Sequence, residues 1–169
     1  MQPIYGVLLA AAWSLGLVEP GIAGFLGTEW GMSRAEVVAA TNGLAQEYQD
    51  PRNVPMKDQL AVVIALTPSI QMTAFYRFYS EGTLAGIKLL PNDPTQCSSI
   101  RQVLGNSYGA ARASMKGDNG SLEEWFDVPA LNIVTFVQAH PSCSLDYKPL
   151  HPVAAKAFLD QQNELNKAK

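Results

Sequence analysis

The sequence predicts an α+β fold of two tandem units, each a helix followed by antiparallel hairpins. Together they form one sheet with helices packed on one face, plus a C-terminal helix. Two helix starts carry this prediction, one at Ser33-Arg34-Ala35-Glu36 and one at Asp93-Pro94-Thr95-Gln96. Behind each come alternating or β-branched runs separated by turn signals. The chain has 169 residues, 47% hydrophobic and 16% charged, the size and composition of a single domain.

Residues 4–18 carry no charge, a run too short to span a bilayer comfortably and of the length of a signal-peptide core. Glu19-Pro20 breaks it, and Gly21-Ile22-Ala23 is a small-x-small site. Residues 1–23 are therefore expected to be a signal peptide cleaved after Ala23. No Lys or Arg precedes the apolar run, which leaves as alternatives a retained N-terminal anchor or a start codon that truncates the real leader. With no cysteine near the cleavage site, the lipid-anchor route is closed, and no membrane anchor is expected after cleavage. The domain then covers 24–150, as units of about 30–91 and 92–150, with a C-terminal helix or tail at 151–169.

In the first unit, Ser33 and Glu36 have the spacing of a capping box, and Met32 and Val37 that of a hydrophobic staple. Val37, Ala40, Thr41, Leu44 and Tyr48 give a helix from 34 to about 48 one apolar stripe. Asp50-Pro51-Arg52-Asn53-Val54-Pro55 reads as a loop. Residues 60–66 are apolar at every position, as in a central or covered strand. After the turn Thr67-Pro68-Ser69, residues 70–79 alternate, with Ile70, Met72, Ala74, Tyr76 and Phe78 on one face. Ser80-Glu81-Gly82 closes a hairpin onto 83–90.

The second unit repeats the order. Asp93 is the N-cap, Pro94 takes N1 and Gln96 N3. Cys97, Ile100, Val103, Leu104 and Tyr108 form the stripe, and Gly109 fits C′. Strands follow at 111–116 and 122–127, around an Asn119-Gly120 hairpin signal, and at 131–139. His140-Pro141-Ser142 turns the last of these onto 143–148. Residues 152–168 read as a helix with a weak stripe of Phe158, Leu159 and Leu165.

Trp30-Gly31-Met32-Ser33-x-x-Glu36-Val37 after a leader resembles the Gly-Met-Ser/Thr helix start of small exported bacterial proteins. These are the outer-membrane-assembly lipoproteins and the β-lactamase-inhibitor-protein-like fold, in which helix-plus-hairpin units recur in tandem. Leu104-x-x-x-Tyr108-Gly109 is similar to the helix exit in the same group. The resemblance covers these two motifs and the element order, and it departs from the lipoproteins in lacking a lipidation cysteine. It implies a periplasmic, non-catalytic interaction module.

The chemistry-bearing residues are few. Cys97 and Cys143 have neither C-x-x-C nor zinc spacing; export would make them a disulfide, the alternative being two buried thiols. A net charge of −3 with no basic cluster argues against nucleic acid. Gly105-Asn106-Ser107-Tyr108-Gly109 matches G-x-S-x-G, with Asp127 and His140, or Asp146 and His151, in hydrolase order. A nucleophile elbow needs a strand before the serine and a helix after it, the reverse of the order expected here. Both histidines precede proline and read as turn residues, and no metal site or cofactor is expected. Glu123 and Glu124 are neighbours on a strand, so they point to opposite faces.

Phe75, Arg77 and Tyr79 share the strand face opposite the core stripe, and Trp125 would extend that face into the second unit. Aromatic residues with arginine are the composition of interface hot spots; the competing reading covers them with a loop or the C-terminal helix. The expected function is an exported, periplasmic or secreted, non-enzymatic module binding a protein partner in the cell envelope. The alternatives are a small secreted hydrolase using Ser107 and a structural cell-envelope component.

Overall fold

A computed structural model describes residues 27–48 and 59–167. The leader and the 50–55 loop lie outside them. The elements are α1 (Arg34–Ala40), β1 (Gln46–Glu47), β2 (Leu60–Thr67), β3 (Ile70–Phe78), β4 (Leu84–Pro91), α2 (Cys97–Tyr108), β5 (Ala113–Gly117), β6 (Gly120–Asp127), β7 (Asn132–Ala139), β8 (Ser142–Pro149) and α3 (Pro152–Lys167). A single 3-10 turn, Pro94–Gln96, leads into α2. The fold is α+β as expected: the eight strands form one antiparallel sheet in the order β1-β2-β3-β4-β8-β7-β6-β5.

That order is symmetric about its centre. Each unit contributes a helix and four strands, and their last strands, β4 and β8, meet antiparallel over Ile87–Tyr147, Lys88–Asp146 and Leu89–Leu145. An approximate two-fold therefore passes through the middle of the sheet.

Both predicted helix starts form. Ser33 Oγ accepts the Glu36 N–H, and the Glu36 carboxylate accepts the Ser33 N–H at 2.7 Å. Asp93 accepts the N–H and hydroxyl of Thr95. The first helix, however, ends at Ala40 instead of reaching Tyr48. Asn42 and Gly43 take the left-handed region, with φ of 53° and 75°, and end it although the apolar period continues. Thr41 donates its hydroxyl back to the Val37 and Val38 carbonyls, and Leu44 is exposed.

Helices α1 and α2 supply Val37, Cys97, Ile100 and Leu104 to a core built on one sheet face, the inner face. Met72, Ala74 and Tyr76 of β3, Ile87 and Leu89 of β4, Leu145 and Tyr147 of β8, and Val134 and Phe136 of β7 complete it. Disulfide Cys97–Cys143 ties the start of α2 to β8. Strand β2, expected to be central or covered, lies one strand from the edge, and Val63 on its outer side is 60% exposed. The β5–β6 hairpin also differs in detail: Gly117 pairs with Gly120, so Asp118-Asn119 make the turn. Gly120 serves a close approach to Gln138 instead, whose carbonyl oxygen lies 2.0 Å from where a Cβ would stand.

The uncovered sheet face as candidate functional site

Strand alternation puts every second residue of the sheet on the face away from α1 and α2. One cross-strand row on this outer face runs through all eight strands: Gln46, Ala61, Phe75, Lys88, Asp146, Thr135, Glu124 and Ala113. The row crosses the junction of the two units at Lys88 and Asp146.

Its charges are largely organised. Arg77 donates to Asp146 at 2.6 Å, spanning from β3 to β8 over β4. Gly86 sits between them on β4, where a Cβ would meet the Tyr147 carbonyl at 3.3 Å and the Arg77 guanidinium at 3.4 Å. Arg112 pairs with Glu124 at 3.1 Å and lies 4.1 Å above the Phe126 ring. Lys88 has no charged partner among the described residues, because Asp146 is held by Arg77. Among the described residues of the strands and their flanks, Arg77, Lys88, Arg112 and Lys148 set four cations against Asp146 and Glu124 on this face, in a chain whose net charge is −3.

The expected binding residues divide. Phe75 and Arg77 do share the outer face, but Phe75 is only 9% exposed because Tyr48 packs edge-on against it at 4.9 Å. Tyr79 follows the strand in the β3–β4 turn, at the rim, and is 54% exposed. Trp125 does not belong to this face. It pairs with Val134 on the inner side, is 4% exposed, and donates its indole N–H to the Gly109 carbonyl at 3.0 Å. The expectation failed because Trp125 and Phe126 are adjacent, and β6 turns Phe126 outward. Phe126 in turn meets Phe158 at 5.2 Å, so α3 leans on the outer face at that point. Beyond it, Leu159 and Leu165 remain exposed.

A trough runs over the outer face from the junction of the two units at β4 and β8 towards β5. Strands β4 and β8 pair over three residues only and then part. Lys88, Leu90, Pro91, Pro94, Val137, Ala139 and Ser144 line the resulting groove of about 410 Å³. Val137 and Ala139 also border a second depression that continues over Leu122 to Met115. The usable signal was a single lysine on the non-core parity of an otherwise apolar strand, Leu84–Pro91.

The inner face carries polar groups under the helices as well. Glu123 is buried there, its carboxylate bound by both arms of Arg101 at 2.6 Å. Trp30 donates to Asn132 at 2.9 Å. Burial pushes the Tyr76 hydroxyl up to about 12, and raises Tyr147 and Tyr108 above the usual tyrosine range.

The hydrolase arrangement is not assembled. Ser107 is exposed in the last turn of α2, on the helix side of the sheet. Asp127 and His140 stand at opposite ends of the β6–β7 hairpin, about 25 Å apart at strand rise. In the other candidate set, Asp146 is on the outer face in its pair with Arg77, and His151 accepts the Val153 N–H. Among the described residues no three His, Cys, Asp or Glu side chains gather to hold a metal ion.

No protein-family model and no curated protein matches the sequence. Among solved structures, the crystal structure of a DUF4309 family protein (YjgB) from Bacillus subtilis subsp. subtilis str. 168 is similar at a TM-score of 0.44 and 11% identity, covering 69% of this chain and 78% of that one.

Proposed function

We propose that the protein is an exported, non-enzymatic interaction module that holds a protein partner in the cell envelope against its outer sheet face. The observation that carries this is the eight-strand row from Gln46 to Ala113, which α1 and α2 leave uncovered. A sheet normally buries one face and solvates the other. Here the outer face also carries ordered ion pairs, two lysines without a charged partner among the described residues and exposed apolar side chains, the mixture found at interface centres and rims. The Cys97–Cys143 disulfide supports an oxidising compartment, and no described helix is long and apolar enough to cross a membrane. The leader-like run of residues 4–18 with its small-x-small site at Gly21-Ile22-Ala23, and the resemblance of residues 30–37 to exported bacterial helix starts, support the same reading.

Intact-mass measurement on protein from an exporting host tests the compartment. The expected product begins at Gly24 and is oxidised; a full-length, reduced mass overturns export. A photo-crosslinking residue at Thr135 on the outer row, compared with one at Gln102 on exposed α2, tests the face. A discrete adduct from position 135 alone is expected, and equal or absent adducts from both overturn the reading. Fluorophosphonate labelling of Ser107 would overturn the non-enzymatic part.

A further inference from the structure

We propose that the trough from Lys88 to Met115 binds an extended polypeptide C-terminus, with its terminal carboxylate at Lys88 and apolar side chains over Val137, Leu122 and Met115. This rests on the outer face being the partner-binding face, and it names what part of the partner is held.

A lysine stands at each end of the trough, but Lys88 has the outer-face parity while Lys116, beside Met115, has that of the inner face. At the β4 end, Lys88, like Lys148 on the same face, has no charged partner among the described residues, and of the two it is Lys88 that lines the groove. The apolar walls there are Leu90, Pro91, Pro94, Val137 and Ala139, with Ser142, Cys143 and Ser144 along the β8 side. A cation beside an apolar cleft suits a carboxylate attached to an apolar group, since the ammonium gives a charge-assisted hydrogen bond while the side chain leaves water. Ser144, also at this wall, adds a hydroxyl.

From there the register carries an apolar line outward. Ser144 faces Val137, Val137 faces Leu122, and Leu122 faces Met115 on β5, the sheet edge. Met115 is 64% exposed. From β4 to β5 is four strand spacings, or about 19 Å, which an extended chain of about six residues spans. A compact carboxylate would fill the groove at Lys88 and leave the line to Met115 unused. That length selects a chain terminus over a small acid.

The test uses the 15N-labelled full-length protein and N-acetylated hexapeptides of alternating Ser and Val ending in Val. Each is made as the free acid and as the C-terminal amide. Titration of the acid is expected to shift the Leu90, Val137, Ala139, Leu122 and Met115 amides saturably, binding about tenfold tighter than the amide form. Lys88→Gln should bring acid and amide within about twofold of each other, whereas Met115→Glu should weaken both. Equal binding of acid and amide to the native protein, shifts elsewhere, or no shifts at millimolar peptide would each overturn the proposal. Adducts from position 135 that persist in Lys88→Gln, with no acid preference, would sink this inference while leaving the interaction role standing.

Discussion

Lys88 faces Asp146 across the junction of the two units, yet Arg77, one strand further away, holds the Asp146 carboxylate at 2.6 Å. The pairing has a consequence for stability. Asp146 is mostly covered, Arg77 is partly so, and the Arg77 Nε is buried without a hydrogen-bond partner. Asp146→Asn keeps the shape and removes the charge, so it is expected to cost about 1–2 kcal/mol. Lys88→Gln, which removes the facing charge that has no partner among the described residues, is expected to change stability by less than about 0.5 kcal/mol. Urea unfolding of the two variants checks the ranking.

The two helix caps set an acid sensitivity. Backbone and side-chain hydrogen bonds from Ser33 hold Glu36 below its ordinary 4.5, and those from Thr95 hold Asp93 below 3.8. Both folded-state values are depressed, so the stabilisation is fully present above the ordinary values and is lost as pH falls through the lowered ones. Unfolding midpoints measured between pH 2 and pH 6 should drop less steeply in a Glu36→Gln, Asp93→Asn double variant. An unchanged slope would show that these caps do not contribute.

How much of this was legible follows from which interactions are local. Both helix starts could be read because a cap is made by residues two or three apart, as Ser33 and Glu36 show. The end of α1 could not, since the apolar period ran on to Tyr48 while Asn42 and Gly43 decided the matter through backbone geometry. The face of β3 was legible from its strict alternation. That of β6 was not, because adjacent Trp125 and Phe126 satisfy either parity and only pairing with Val134 and Ile133 chooses. The outer row was beyond reach, as Arg77 and Asp146 are 69 residues apart, and of the trough only Lys88 on its otherwise apolar strand was legible.

Glu123 on the inner face makes a stronger case for a single residue. Its side chain is nearly covered, and both its oxygens are bound at 2.6 Å by Arg101, itself half exposed. Arg101→Met leaves a covered carboxylate uncompensated and is expected to cost about 2–3 kcal/mol, the exposed guanidinium keeping the loss at the low end. Replacing both, Arg101→Met with Glu123→Leu, should return stability to within about 1 kcal/mol of the native protein. Thermal or urea unfolding of the single and double variants distinguishes the two outcomes.

Gly120 is a test of backbone approach. An added Cβ would stand 2.0 Å from the Gln138 carbonyl oxygen and 3.3 Å from the Ala139 Cα, both backbone atoms that cannot rotate aside. Gly120→Ala is therefore expected to cost at least about 2 kcal/mol, because β6 must pull away from β7 at its first pair. At Gly117, the other side of the same hairpin, a Cβ meets nothing within 4 Å. Gly117→Ala should fall within about 1 kcal/mol of the native protein, so unequal unfolding midpoints are expected from neighbouring glycines.

The disulfide closes a separation of 46 residues between Cys97 and Cys143. In the chain-entropy model a loop of that size constrains the unfolded chain by about 4 kcal/mol, and measured losses run from about 2 kcal/mol upward. Its position matters as well as its loop. Cys97 opens α2, and Cys143 stands on β8 where that strand has parted from β4, so the bond anchors the helix at the mouth of the trough. A Cys97→Ser, Cys143→Ser variant is expected to lose about 2–4 kcal/mol in urea unfolding, and the native protein under reductant should match it. Native protein that keeps its full stability when reduced would place the contribution in packing around Ile100 and Leu145 instead.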